Sequence, residues 1–299
     1  MTPSSSLITP QAYAARRKWT MSRIRRLPPT LLIGSAILAF YLIVGLTGRF
    51  WAPYSPNKTG TGPPFTPISA EHWMGTDQLG RDVFSRVIHG ADEVLFLSLT
   101  GTLLAMFIGV PLGLLSGLLR GWFDEVLMRI LDIIISIPLL ILALLVIAAA
   151  GSEWSGNYIL LIGVIAIVYA PRIARMARSV ALNLVTSDFV TVARARGESI
   201  WWIISREFAP NATGVLLVEF GVRAGYAPIL IGSLGFLGFG VRPPTPEWGV
   251  MISENRFAII TSPITLFAPA IALAVLAIGL NLFTDGIARI LGRSTQRVP

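Results

Sequence analysis

Few side chains in this 299-residue chain are equipped for covalent chemistry. Cysteine is absent, which excludes a thiol nucleophile, a thiolate zinc site and a disulfide framework. The two histidines, His72 and His89, lack the paired spacing of a zinc protease, and no Gly-x-Ser-x-Gly elbow occurs. Without a Gly-x-x-x-x-Gly-Lys-Ser/Thr phosphate loop, the chain is not expected to hydrolyse ATP. The acidic stretch Gly75–Asp82 lacks the alternating ligands and terminal Glu of a calcium loop. Asp77 with Arg81, and Asp82 with Arg86, are each four apart, which predicts ion pairs in a short interfacial helix. No catalytic residue and no metal site is expected.

Two other groupings point to movement and recognition. Glu219 and Arg223 sit four apart inside an apolar stretch, Ala212–Gly240. Charges at mid-bilayer cost at least about 2.5–3.5 kcal/mol each, so such residues face protein or water. They form either a structural pair or part of the lining of a translocation path. The segment 188–210 sets Phe189, Val192 and Ala193 on one helical face behind an acidic start, Asp188. Gly197 interrupts it, Ile200, Ile203, Ile204 and Phe208 form a second stripe, and Pro210 closes that stripe. This pattern of helix, glycine hinge and helix suits a lid folded back on its own bundle or an interfacial helix in headgroups. It also suits a helix presented to a groove on a cytosolic partner.

The elements that must position these residues are membrane helices. Hydrophobic residues make up 54% of the chain and charged ones 13%, whereas soluble domains carry about 25% charged residues. Apolar runs predict an all-α integral membrane protein with about six spans: 31–46, 94–119, 126–150, 158–174, 212–240 and 266–283. The long basic lead-in favours an uncleaved anchor over a signal peptide for the first run. Pro111 and Pro138 fall within spans, where they are expected to kink helices. Gly113, Gly117, Gly232, Gly235 and Gly238 are expected to permit close packing.

Most of the 24 Lys and Arg lie in the N-terminal tail (Arg16 to Arg26), near 120–129, in 172–211 and at the C-terminus. Arg49, Lys58, Arg81, Arg86, Arg242 and Arg256 fall on the other side. This asymmetry predicts cytoplasmic N- and C-termini, and the net charge of +8 is read as lipid and topology signal, with no nucleic-acid partner. The expected organisation is a tail (1–30), a first span with an external loop (31–93), a five-helix core (94–284) and a second tail (285–299). Trp248, among prolines in the second external excursion, is expected to anchor at the interface.

Four motifs add a resemblance. Asp188-Phe-Val-Thr-Val-Ala-Arg-Ala-Arg-Gly197, followed by Pro210 and Asn211, resembles the cytoplasmic coupling loop of binding-protein-dependent ABC permeases. The stretches His72–Arg86, Asp124–Asp132 and Leu234–Gly249 are similar to the dipeptide/oligopeptide/nickel branch, C-type subunit. The family's Glu-Ala-Ala triplet reads Thr191-Val192-Ala193 here, while Asp188 and Gly197 remain. The resemblance implies a type I ABC importer permease bundle in the bacterial inner membrane. It implies a second permease, two ATP-binding subunits that carry ATP and Mg, and an extracytoplasmic substrate-binding protein. It also places ATPase docking on Asp188, Thr191, Ala193, Gly197, Ile203, Ile204 and Pro210. Peptides are the leading cargo, with nickel chelates, glutathione or another small solute as alternatives. An ion-coupled secondary transporter would need more coupling residues and an internal repeat, and neither is visible. An intramembrane protease would need a paired nucleophile and base, and none is present.

Overall fold

A computed structural model describes residues 27–295, with side chains described through residue 291. The basic cluster Arg16 to Arg26 therefore lies outside the described residues. Nine helices carry the fold among those residues. Helix α1 (Pro29–Trp51) opens with proline, whose missing N–H is no loss in a first turn. Helix α2 (Val83–Leu119) starts well before the expected position 94, because the Asp82 carboxylate accepts from the Ser85 N–H (2.7 Å) and caps it. Polar residues such as Ser85, Arg86 and Glu93 hid this extension from the hydropathy pattern.

The third expected span is two helices, α3 (Gly121–Ser136) and α4 (Leu139–Ala150), bent by 98° at Pro138. Pro111, by contrast, lies inside the unbroken α2. Helix α5 (Tyr158–Leu184) is capped by Asn157, and the short α6 (Asp188–Ala195) follows. Helix α7 (Ile200–Phe236) contains a π-turn, Ile203–Phe208. That turn accommodates Pro210. A proline one turn into an α-helix strikes the carbonyl four residues back, and the wider turn before it moves that carbonyl away. Pro210 therefore does not end the second stripe, as the sequence suggests, but lies inside a continuous helix. After α8 (Trp248–Glu254), α9 (Pro263–Thr295) ends the described residues. Five helices are long and apolar enough to cross a membrane, and the bent pair makes a sixth if it counts as one span.

Close packing centres on α2 against α5, the most extensive helix pair. Gly109, Gly113 and Gly117 recur at four-residue spacing on α2, and a Cβ at Gly113 would overlap the Ala174 carbonyl. The small-residue seam thus brings the two backbones together. Gly232 is similarly pressed against Gly249 and Leu273, whereas Gly238 sits in the open at φ +86° and turns the chain after α7.

Helix directions define two ends. One, the cap end, gathers residues 52–82, 151–157 and 237–262; the opposite end holds the 120–121 turn and α6. The bent pair begins beside α5 at the α6 end, through Asp124 and Arg178 (2.5 Å). It ends at the cap, where Arg242 donates to the Ser155 and Glu153 carbonyls (2.7 Å each). It therefore crosses the bundle despite its bend. At the cap, Arg81 bonds both Asp77 (2.5 Å) and Glu254 (2.7 Å), and Arg86 also reaches Glu254 (3.1 Å). The short interfacial helix expected at 75–82 is a turn. The expected Asp82–Arg86 pair does not form, because Asp82 caps α2 and binds His72 (2.9 Å). Trp248 is also not an interfacial anchor. It is fully buried against Tyr41 and donates to the Val87 carbonyl (2.9 Å).

Candidate coupling site and translocation cleft

The segment 188–210 is built as a seated lever. Asp188 stands in the first turn of α6, where a carboxylate meets the positive end of the helix. The helix ends in a Schellman turn. The Gly197 N–H donates to the Arg194 carbonyl (2.9 Å) and the Glu198 N–H to that of Ala193 (3.2 Å), with Gly197 at φ +76°. Ser199 then caps α7 through the Trp202 N–H (3.2 Å).

The buried face differs from the one the spacing suggested. Val190 and Ala193 are fully buried, Phe189 partly, and Val192 is 53% exposed. Ile203, Ile204 and Phe208 are buried in the same cluster, while Ile200 is exposed. The seat is made by Leu114 and Leu118 from α2 and by Ala177, Ala181 and Val185 from α5 and its end. The fold therefore covers the apolar stripe that sequence left without a partner. Arg194 adds a hydrogen bond to the Leu118 carbonyl (3.3 Å), one of the orphan acceptors at the end of α2. Asp188, Thr191, Gly197 and Pro210 remain exposed.

Three residues that sequence reasoning did not join lie beside this seat. Asp124 receives Arg178 at both oxygens (2.5 and 2.6 Å) and the Ser116 hydroxyl (2.5 Å). This bidentate geometry ties the α2–α3 turn to α5. A local cue existed in Asp124, an acid in the first turn of α3, but Arg178 lies 54 residues away.

Glu219 and Arg223 form an ion pair on α7, with Arg223 Nε donating at 2.6 Å. Arg223 also lines a cleft of about 300 Å³ with Leu139, Tyr169, Tyr226 and Ser233. Among the described residues, Arg223 is the one charged side chain in the wall of this cleft. At the cap, Glu247 accepts the Gly249 and Val250 N–H groups (2.7 and 3.0 Å) and so caps α8. Burial pushes its carboxyl up to about 7, against those two donors, which favour the charged form.

Residues 109–297 match the family described as binding-protein-dependent transport system inner membrane component. A glutathione transport system permease protein, GsiD, of Pectobacterium atrosepticum is 32% identical over 281 residues, covering 92% of this chain and 90% of that protein. The dipeptide transport system permease protein DppC of Alkalihalophilus pseudofirmus is 32% identical over 298 residues, with 96% and 94% covered. The probable D,D-dipeptide transport system permease protein DdpC of Escherichia coli is 34% identical, with 87% and 86% covered. In fold, the chain is similar to a solved inward-facing MetNI methionine ABC transporter, with a TM-score of 0.55 and 20% identity. That likeness spans 69% of this chain and 96% of the other. With matches of this extent on a helical membrane bundle, the chain belongs to the binding-protein-dependent ABC transport permeases.

Proposed function

We propose that this chain is one permease half of an ATP-driven importer of small peptides. A second permease completes the pore, and two ATP-binding subunits, which carry the ATP and Mg, dock on 188–210. A substrate-binding protein meets the cap end. On this reading the cap end faces outward, both termini face the cytoplasm, and the membrane is the bacterial inner membrane, in keeping with the distribution of Lys and Arg. The observation that carries the reading is the amphipathic seat of α6. Val190 and Ala193 are held by three spans, while Asp188 and Thr191 stay exposed for a partner. A push on α6 then acts on α2, α5 and α7 together, a wider set than the flanking spans alone. Peptide is the leading cargo because two relatives are named for dipeptide transport. Glutathione is the second reading, because another is named for it.

Arg223 is proposed to help a substrate carboxylate through the cleft. Arg223→Met in the reconstituted complex should lower uptake several-fold while assembly and basal ATPase stay unchanged. Wild-type uptake in that variant would end the assignment.

A further inference from the structure

A second cavity, of about 460 Å³, lies at the cap end between the 151–156 turn, the end of α7 and α8. It shares no lining residue with the Arg223 cleft. Its volume falls within the range of small-molecule sites, roughly 300–1,000 Å³. Much of its wall is backbone, since Gly156, Gly235, Gly238 and Gly240 contribute no side chain.

The charges on this wall are unequal. Arg242 and Arg256 both line the cavity, and neither is in an ion pair among the described residues. Arg242 is held in place by the Ser155 and Glu153 carbonyls. Arg256 lies over the Phe257 ring, 4.7 Å from its centroid, and donates to the Ser253 hydroxyl (3.3 Å). The one carboxylate in the wall is Glu254. Its Oε2 already serves Arg81 and Arg86 from behind, so its charge is neutralised. Its Oε1 takes no hydrogen bond among the described residues, which leaves one acceptor at the wall. The wall therefore offers two unneutralised guanidinium groups, which match a carboxylate, and one carboxylate oxygen, which matches an ammonium N–H.

We propose that this cavity is a receiving site for a small zwitterionic solute of the peptide class. The solute's carboxylate lies toward Arg256 and Arg242, and its amino end toward Glu254. The assignment rests on the reading that the cap end faces outward in an importer, and it adds a stop between the binding protein and the Arg223 cleft. Arg242, held by two backbone carbonyls, loses little freedom on binding, which lowers the entropic cost of capture there.

The test uses the intact permease and ATPase complex in nanodiscs, without binding protein, and radiolabelled L-alanyl-L-alanine as probe. Saturable binding is expected, weakened about tenfold or more by Arg256→Gln and retained by Arg256→Lys. The C-terminal amide of the probe should bind about as weakly to the wild type, and Arg256→Gln should not weaken it further. No saturable binding, equal binding of acid and amide, or undiminished binding in Arg256→Gln would each overturn the site. Binding-protein-dependent, ATP-driven uptake is measured on the same preparation. Uptake without binding at the cavity removes the site alone, whereas cavity binding without such uptake removes the importer reading and keeps the site.

Discussion

Asp124 shows how much one side chain can organise at the α6 end of the bundle. It is 12% exposed, accepts from Arg178 and Ser116, and joins the α2–α3 turn to α5 beside the seat of α6. A hydrogen bond to a charged group contributes about 1.5–3 kcal/mol, and less where, as for Arg178, the partner is one-third exposed. Asp124→Asn and Arg178→Met should each speed hydrogen exchange in the turn around 116–124. The double variant should be scarcely worse than either single change, because both remove the same contact. Additive losses would show that the pair does not act as a unit. Glu219 and Arg223 were legible as a pair because one helix sets the distance. Arg178 was not, because its partner comes from another helix.

At the scale of elements, α6 and its glycine turn were readable because their determinants are local. An acid, apolar residues at helical spacing, and a glycine where the chain must turn left-handed all fall within ten residues. A non-glycine residue in the left-handed region costs about 1–2 kcal/mol. Gly197→Leu should therefore misplace α6, lowering uptake while ATP hydrolysis by the complex continues. Gly197→Asn, which tolerates that conformation, should retain most of the coupling. Coupling equal to wild type in the leucine variant would show that the turn does not transmit the stroke. The face of α6 was misassigned for a tertiary reason. Its seat is supplied by α2 and α5, and their direction of approach decides that Val190 is buried while Val192 is exposed.

At the scale of the whole molecule, the described residues cross the membrane six times if the bent α3–α4 pair counts as one passage. The absence of cysteine makes the proposed orientation directly measurable. Ile260 is 91% exposed at the cap end, and Trp122 is 78% exposed at the other. In intact cells, a membrane-impermeant maleimide should label Ile260→Cys, and should reach Trp122→Cys only after permeabilisation. The opposite pattern would invert the orientation and place α6 away from ATP.

The sequence by itself determined the helical membrane class, the order of the spans and the helix, glycine and helix plan of 188–210. Each of these is summed over neighbouring residues: the length of an apolar run, a repeating face, a glycine at a turn. Tertiary structure alone decided what those residues meet. Arg81 and Arg86 find Glu254 across 173 and 168 residues, Asp82 leaves its expected partner to cap α2, and Trp248 goes inward. Pairing of this kind depends on which chain segments the bundle brings within about 3 Å. Local pattern carries no record of that distance. The same reason hid the two unneutralised arginines at the cap, because Arg242 and Arg256 become wall residues of one cavity only after α7 and α8 fold against the 151–156 turn.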